Sequence, residues 1–169
     1  GCYGDGGAIF TNNDEDAVLM RSLSLHGKGS EKDDNVRMGL NSRLDTIQAA
    51  ILIEKLKIFP EEIVKRNELA EFYSKGLKGF LNVPQVPRGH ESTWAQYTLV
   101  SKSRNEIMEH LAKSSIPAVV YYPKSLSKQT GYHSYPSVIS GTQVSHFLSE
   151  SVFSIPMHPY LPLAQAENI

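Results

Sequence analysis

The stretch SRLDTIQAAILIEKLKIF, residues 42–59, decides the fold because its apolar side chains recur at the spacing of one helix face. The first of these are Leu44, Ile47 and Ile51. Ser42, with an acidic residue three positions later, resembles a capping box and is the predicted N-cap. Pro60 follows the stretch, and we expect it to break or restart the helix.

A second helical pattern covers residues 61–78 and places four apolar side chains on one face. They are Leu69, Phe72, Tyr73 and Leu77. Gly79 stands where the end of a helix favours a left-handed residue. The two patterns together predict a kinked helical hairpin or one bent helix.

The rest of the chain predicts alternating strands and helices. Strands are expected in residues 94–101, 116–123 and 151–161, and helices in residues 103–114 and 142–150. Such an order is typical of a compact α+β layer packed on the long helices.

The beginning of the chain predicts a strand followed by a helix, which are separate from the α+β layer described above. Residues 8–11 have the composition of a short strand, and Asn13 is the predicted N-cap of a helix that reaches about Leu25. Residues 26–40 are polar and glycine-punctuated, which indicates a loop. A strand and helix of this kind need neighbouring strands, so we expect them to leave an apolar face uncovered.

Composition narrows the classes of function. The chain has 169 residues and a formal charge of −1, from 17 basic and 18 acidic residues, which gives no field to attract nucleic acid or anionic lipid. The single Cys2 cannot form an intramolecular disulfide, and no signal peptide or membrane-spanning run is present. The six histidines lack the spacing of metal ligands. We therefore expect a cytoplasmic protein without a metal, a nucleic-acid partner or a membrane partner.

Six segments carry a resemblance to a known family. They are GCYGDGGAIFTNNDE, HGKG, GLNSRLDTIQAAIL, WAQYTLV, VYYPKSL and SIPMHPYL. In this order and spacing the chain resembles the second half of the DegT/DnrJ/EryC1/StrS family, which are pyridoxal-phosphate-dependent sugar aminotransferases of fold type I. The resemblance implies an α/β protein: residues 1–40 as a remnant of the large cofactor domain, and residues 41–169 as long helices and the small C-terminal α+β domain.

The resemblance also implies the chemistry. Family members transfer an amino group, here expected from L-glutamate, to a keto group of a nucleotide-sugar, and they act as homodimers. Their cofactor-binding lysine lies a few residues before the G-x-x-G-D-G-G loop, so it would lie upstream of Gly1. The sequence is therefore expected to be a C-terminal fragment that is inactive alone, holds no catalytic residue and binds pyridoxal phosphate weakly or not at all.

Two residues before the long helix are implied to contact ligands. Asn41 matches the family asparagine that reaches the cofactor phosphate of the other subunit, and its side-chain amide is a suitable donor. Arg43 matches the region that approaches the nucleotide-sugar, where a guanidinium suits phosphate. From the residues alone, Asn41 is equally a turn residue and Arg43 a surface arginine.

Two tyrosines are implied to approach the sugar of the neighbouring active site. Tyr121 and Tyr122 match the family's H-Y-P or Y-Y-P segment. Where relatives have histidine this chain has Tyr121, so the contact is expected to survive without imidazole chemistry. The alternative is that one tyrosine packs in a strand and the other is exposed.

The glycines at positions 1, 4, 6 and 7 do not fit a P-loop, because no G-K-[ST] follows them. Their predicted role is backbone geometry, meaning sharp turns and close approach near the cofactor lysine.

Two alternatives to an aminotransferase fragment stay open from the sequence. One is a non-catalytic interaction module that completes the active site of a partner subunit. The other is a fragment of a sugar dehydratase of the same family, in which the lysine is replaced.

Overall fold

The computed structural model describes residues 3–31, 33–138 and 141–169, so the expectations for Gly1 and Cys2 lie outside it. The elements in chain order are α1 (Asp14–Ser24), α2 (Thr46–Leu77), β1 (Tyr97–Val100), α3 (Arg104–Lys113), a 3₁₀ turn (Leu126–Lys128), α4 (Gln143–Ser151), β2 (Val152–Ile155) and α5 (Leu163–Ala166). The chain forms two compact units, Gly1–Phe59 and Pro60–Ile169. The domain boundary expected after residue 40 stays a prediction.

Helix α1 begins as the sequence predicts. The Asn13 side-chain oxygen accepts hydrogen bonds from the backbone N–H groups of Glu15 and Asp16, at 2.9 and 3.4 Å. These are amides that the helix itself cannot satisfy. The acidic first turn also suits the positive end of the helix dipole.

The predicted strand at residues 8–11 is wrong. These residues form no ladder with any described segment, and Ile9 and Phe10 are 76% and 92% exposed. A strand exists only where a neighbour accepts and donates its backbone hydrogen bonds, and composition cannot supply that neighbour. Leu19 and Leu23 of α1 are also exposed, so the first unit does carry an uncovered apolar surface.

Helix α2 starts four residues later than the predicted N-cap and does not stop at proline. The N–H of Ser42 donates to the carbonyl of Ser24, which keeps Ser42 in the preceding loop, and the first helical bond runs from Ala49 to Asp45. Pro60 lies inside a continuous helix of 32 residues. Proline removes one backbone hydrogen bond, and here the turns on both sides continue the helix across that loss. Gly79 has φ +98° and follows the helix end, as predicted.

The sheet of the second unit is a two-stranded antiparallel ribbon. Its register pairs Tyr97 with Ile155 and Val100 with Val152. Isolated bridges widen it on both sides, from Asn82 to Val100 and from Val119 to Ser154. The strand predicted in residues 116–123 is thus reduced to one bridge. Prolines at both ends of this segment shorten the possible ladder, because proline has no N–H to donate.

One face of α2 packs on this ribbon to make the core. The buried residues are Leu69, Ala70, Tyr73, Tyr97, Leu99, Leu111, Phe153, Ile155 and Ala166. The rings of Tyr73 and Tyr97 lie 5.2 Å apart, centroid to centroid. Each buried phenol has a polar partner: Tyr73 donates to the carbonyl of Pro156 at 2.9 Å, and Tyr97 shares a 2.8 Å hydrogen bond with Ser74.

Burial raises the pKa of Tyr73 to about 12, with a smaller contribution from Tyr97. An unfolded tyrosine ionises near pH 10, so the folded chain keeps this proton longer than the unfolded chain. The free energy of unfolding should therefore fall as pH rises from about 10 towards 12. We expect Tyr73→Phe to remove the last component of an ultraviolet phenolate titration and to flatten this decline. The exposed Tyr132→Phe is the control, and a late component that persists in Tyr73→Phe would contradict the assignment.

Candidate functional site

The loop between α1 and α2 is fixed by backbone hydrogen bonds along its two sides. His26 N–H donates to Leu40 O at 2.9 Å, and Leu40 N–H donates to Leu23 O at 2.8 Å. Leu25 and Asn41 form an antiparallel bridge. The backbone of Asn41 is therefore held beside the C-terminal end of α1.

Two glycines make this close approach possible. Gly27 has φ +79°, and a side chain there would collide with the carbonyl of Arg37. A Cβ on Gly39 would lie 2.5 Å from the carbonyl oxygen of Leu23, and closer still to the amide of Gly27. Both neighbours are backbone atoms, so neither can move aside as a flexible side chain could.

A polar clamp inside the loop was not predicted from the sequence. Ser22 is 8% exposed, and its hydroxyl donates to the carbonyl of Lys28 at 2.6 Å. The guanidinium of Arg37 donates in turn to the same hydroxyl. Ser22 and Arg37 are 15 residues apart in a segment without periodicity, and no pattern in the sequence pairs them.

Asn41 and Arg43 are both exposed on this loop. Neither side chain makes a hydrogen bond or ion pair with a residue that the structure describes. A carboxamide and a guanidinium in this state offer N–H donors to a ligand, and the ligand that suits both is an oxyanion such as phosphate.

Tyr121 and Tyr122 lie in the second unit, with ring centroids 5.6 Å apart in an edge-on arrangement. Tyr121 is 42% exposed and Tyr122 71% exposed. Tyr121 lines a cleft of about 220 Å³. The other lining residues are Ala95, Gln96, Pro117, Val119, Ser154, Ile155, Pro156 and Met157. The expected alternative of one packed and one exposed tyrosine is not found, since both rings are exposed.

Side chains of α2 make hydrogen bonds to the segments that line this cleft. Arg66 donates to the carbonyl of Trp94 at 2.8 Å and to that of Met157 at 3.4 Å. Asn67 accepts the indole N–H of Trp94 at 2.9 Å. Sequence reasoning missed both residues. The available signal was that Arg66 falls on the same helix face as Tyr73, seven positions later, so a buried role for its guanidinium could have been expected.

The four predicted site residues fall into two pairs. Asn41 and Arg43 belong to the first unit, and Tyr121 and Tyr122 to the second, so each pair is a feature of its own unit.

Within the described ranges, no three His, Cys, Asp or Glu side chains are grouped as a metal site would require. None of the helices described there combines the length and apolarity that a membrane span needs.

A mixed helix and strand architecture with these loops is that of the aminotransferase fold. A crystal structure of a DegT DnrJ EryC1 StrS aminotransferase from Brucella abortus matches 99% of this chain with a TM-score of 0.96 at 48% identity. The model of the DegT/DnrJ/EryC1/StrS aminotransferase family matches residues 2–169. The chain belongs to this family.

Two curated relatives have named activities. The UDP-2-acetamido-2-deoxy-3-oxo-D-glucuronate aminotransferase of Pseudomonas aeruginosa is 41% identical over the whole chain. The dTDP-3-amino-3,4,6-trideoxy-alpha-D-glucose transaminase of Micromonospora megalomicea is 35% identical over 96% of it. The chain spans 46% and 45% of the length of these relatives, and 45% of the Brucella chain.

Pyridoxal phosphate, the cofactor of such enzymes, has two ends to be held, and the described residues suit one of them. The free carboxamide N–H donors of Asn41 suit the phosphate end. The aldehyde end needs a lysine amine in a site sheltered from water, and none of the lysines that the structure describes is buried.

The close approach at Gly39 leads to a prediction about stability. In Gly39→Ala the new methyl group must displace backbone at Leu23 or Gly27, which we expect to destabilise the first unit by about 1–3 kcal/mol. NMR should show this as shifted amide resonances of Leu40 and Ser42, together with a lower denaturation midpoint.

The matched control is Gly76→Ala. Gly76 lies within α2, and its Cβ position is open, so alanine should raise stability by about 0.5–1 kcal/mol. If Gly39→Ala unfolds like the wild type and the amide resonances of the loop do not move, the close approach at Gly39 does not fix the loop.

Proposed function

We propose that this chain is part of a pyridoxal-phosphate-dependent aminotransferase that acts on a nucleotide-sugar. The observation that carries the proposal is that Asn41 and Arg43 offer free N–H donors for phosphate on a loop fixed by backbone hydrogen bonds. Family membership suggests the ligands for this pair, because a phosphorylated cofactor and a diphosphate-linked sugar both present phosphate oxygens.

The first unit would bind phosphate. The carboxamide N–H of Asn41 donates to an oxygen of the cofactor phosphate, across a homodimer interface. The guanidinium of Arg43 takes two oxygens of the nucleotide diphosphate in a fork geometry. A loop with little freedom to lose binds these anions at a low entropic cost.

The second unit would bind the sugar. The exposed faces of Tyr121 and Tyr122 cover a sugar ring and exclude water, while their hydroxyls exchange hydrogen bonds with sugar hydroxyls. Arg66 and Asn67 hold Trp94, which directly precedes the lining residue Ala95, through its backbone carbonyl and its indole N–H. The cofactor, when bound, supplies the electron sink that lets an amino group move between two carbon atoms.

The substrate we propose is a 3-keto sugar linked to a nucleoside diphosphate. Two relatives support position 3, because one is named for a 3-oxo substrate and the other for a 3-amino product. L-glutamate would give its amino group and leave as 2-oxoglutarate, which takes its keto oxygen from one water molecule. The keto oxygen of the sugar leaves as water, so no net water is formed. The biosynthetic setting we propose is surface polysaccharide or natural-product sugar synthesis in the cytoplasm.

The lysine that holds the cofactor is proposed to lie outside the described residues, since none of the lysines described there is buried. The chain alone would then bind the cofactor weakly or not at all and would not transaminate. Borohydride reduction with pyridoxal phosphate, followed by peptide mass mapping, tests this point. A single modified lysine at full occupancy would overturn it.

A chimera tests the function itself. The chain should replace the matching 46% of the Pseudomonas aeruginosa relative, to which it is 41% identical. We expect glutamate-dependent formation of an amino sugar from the 3-keto nucleotide-sugar. A folded chimera that binds cofactor and yields a dehydrated sugar instead would favour the dehydratase. A folded chimera without any turnover would contradict the proposal.

The same chimera tests Asn41. Asn41→Asp keeps the shape but sets a negative charge against the cofactor phosphate, and we expect the dissociation constant of pyridoxal phosphate to rise at least about tenfold. The control is Asn12→Asp, an exposed asparagine in the same unit that receives the same charge change. Equal cofactor affinity in the two variants would remove Asn41 from the phosphate site.

A further inference from the structure

One side chain at the start of α2 contacts the glycine-rich segment at the beginning of the chain. The backbone N–H of Tyr3 donates to the side-chain oxygen of Gln48 at 2.7 Å, across 45 residues of sequence. This hydrogen bond joins that segment, residues 3–7, to α2.

The other half of the Gln48 carboxamide faces Gly4. A Cβ built on Gly4 would lie 2.5 Å from the side-chain nitrogen of Gln48, which is closer than real Cβ atoms come. Gly7, in the same segment, has nothing within 4 Å of its Cβ position. A side chain at position 4 would therefore have to displace the carboxamide of Gln48.

Gln48 is also close in sequence to Asn41 and Arg43, the residues proposed to donate hydrogen bonds to phosphate. It is the third residue of α2, five positions after Arg43 and seven after Asn41. The loop that holds Asn41 is itself fixed to the end of α1 by backbone hydrogen bonds. The contact at Gln48 thus joins the glycine-rich segment to the start of α2, which follows both donors closely in the chain.

We infer that Gln48 is a positioning residue that fixes the glycine-rich segment against the start of α2. Its oxygen accepts the hydrogen bond of the Tyr3 amide, and its nitrogen occupies the space that a Cβ at position 4 would need, so a side chain there would displace the carboxamide. The consequence for ligands rests on the proposed function: in a cofactor site the segment and the donors Asn41 and Arg43 would keep one relative position. The contact itself needs no cofactor.

The inference is tested by NMR on the 169-residue chain. In Gln48→Ala we expect the Tyr3 amide to exchange with solvent about three to ten times faster, the range for loss of one exposed hydrogen bond. Alanine is the best helix former, so α2 should remain intact, and circular dichroism checks this. Gln48→Glu keeps an acceptor oxygen and should restore Tyr3 protection to within about twofold of wild type.

A double-mutant cycle tests the contact with glycine. Gly4→Ala should speed Tyr3 exchange in the wild type but add little in the Gln48→Ala background, because the colliding carboxamide is gone. Gly7→Ala is the matched control and should leave Tyr3 exchange unchanged in both backgrounds. Additive effects in the cycle, or Tyr3 and Gly4 resonances unmoved by Gln48→Ala, would overturn the inference.

The chimera with the Pseudomonas relative separates this inference from the proposed function. We expect Gln48→Ala to raise the dissociation constant of pyridoxal phosphate about threefold or more and Gln48→Glu to recover most of it. A wild-type chimera without turnover would count against the proposed function alone, because the NMR cycle decides the Gln48 contact without any cofactor. If the double-mutant cycle shows additive effects of Gly4→Ala and Gln48→Ala on Tyr3 exchange, the Gln48 inference is wrong even if the chimera is active.

Discussion

The packing of Tyr73 on Tyr97 is the interaction on which the second unit depends. A two-stranded ribbon is marginal in water, and here it gains its stability by burying one face against α2. The two rings join helix to strand, and their hydroxyls are satisfied by Pro156 and Ser74. Because Pro156 lines the same cleft as Tyr121, the hydrogen bond from Tyr73 links the core to the candidate sugar site.

The first unit is stabilised in a different way. Few of its apolar side chains are buried, and its order comes from backbone hydrogen bonds in a loop that glycine alone can close. Gly27 and Gly39 let two segments of chain approach to contact distance, and Ser22 with Arg37 ties the loop from inside. A loop fixed by its own backbone can keep Asn41 in place without covering its side chain.

The helices were predictable because apolar periodicity and caps are local properties, as Asn13 and Gly79 show. The errors came from long-range partners. Ser42 looks like a cap but donates its N–H to Ser24, and residues 8–11 look like a strand but lack a neighbour. Asn41 stood out only through the family resemblance, since an asparagine before a helix is equally a turn residue.

The two candidate site features differ in the class of ligand that each one suits. The first unit presents charged and amide donors with no described partner, which suits anions, and the second presents aromatic surface, which suits a sugar ring. Neither set provides a base or nucleophile of its own. In the proposed function these two features bind and orient the ligands, and the amine that forms the new bond is proposed to lie outside both of them.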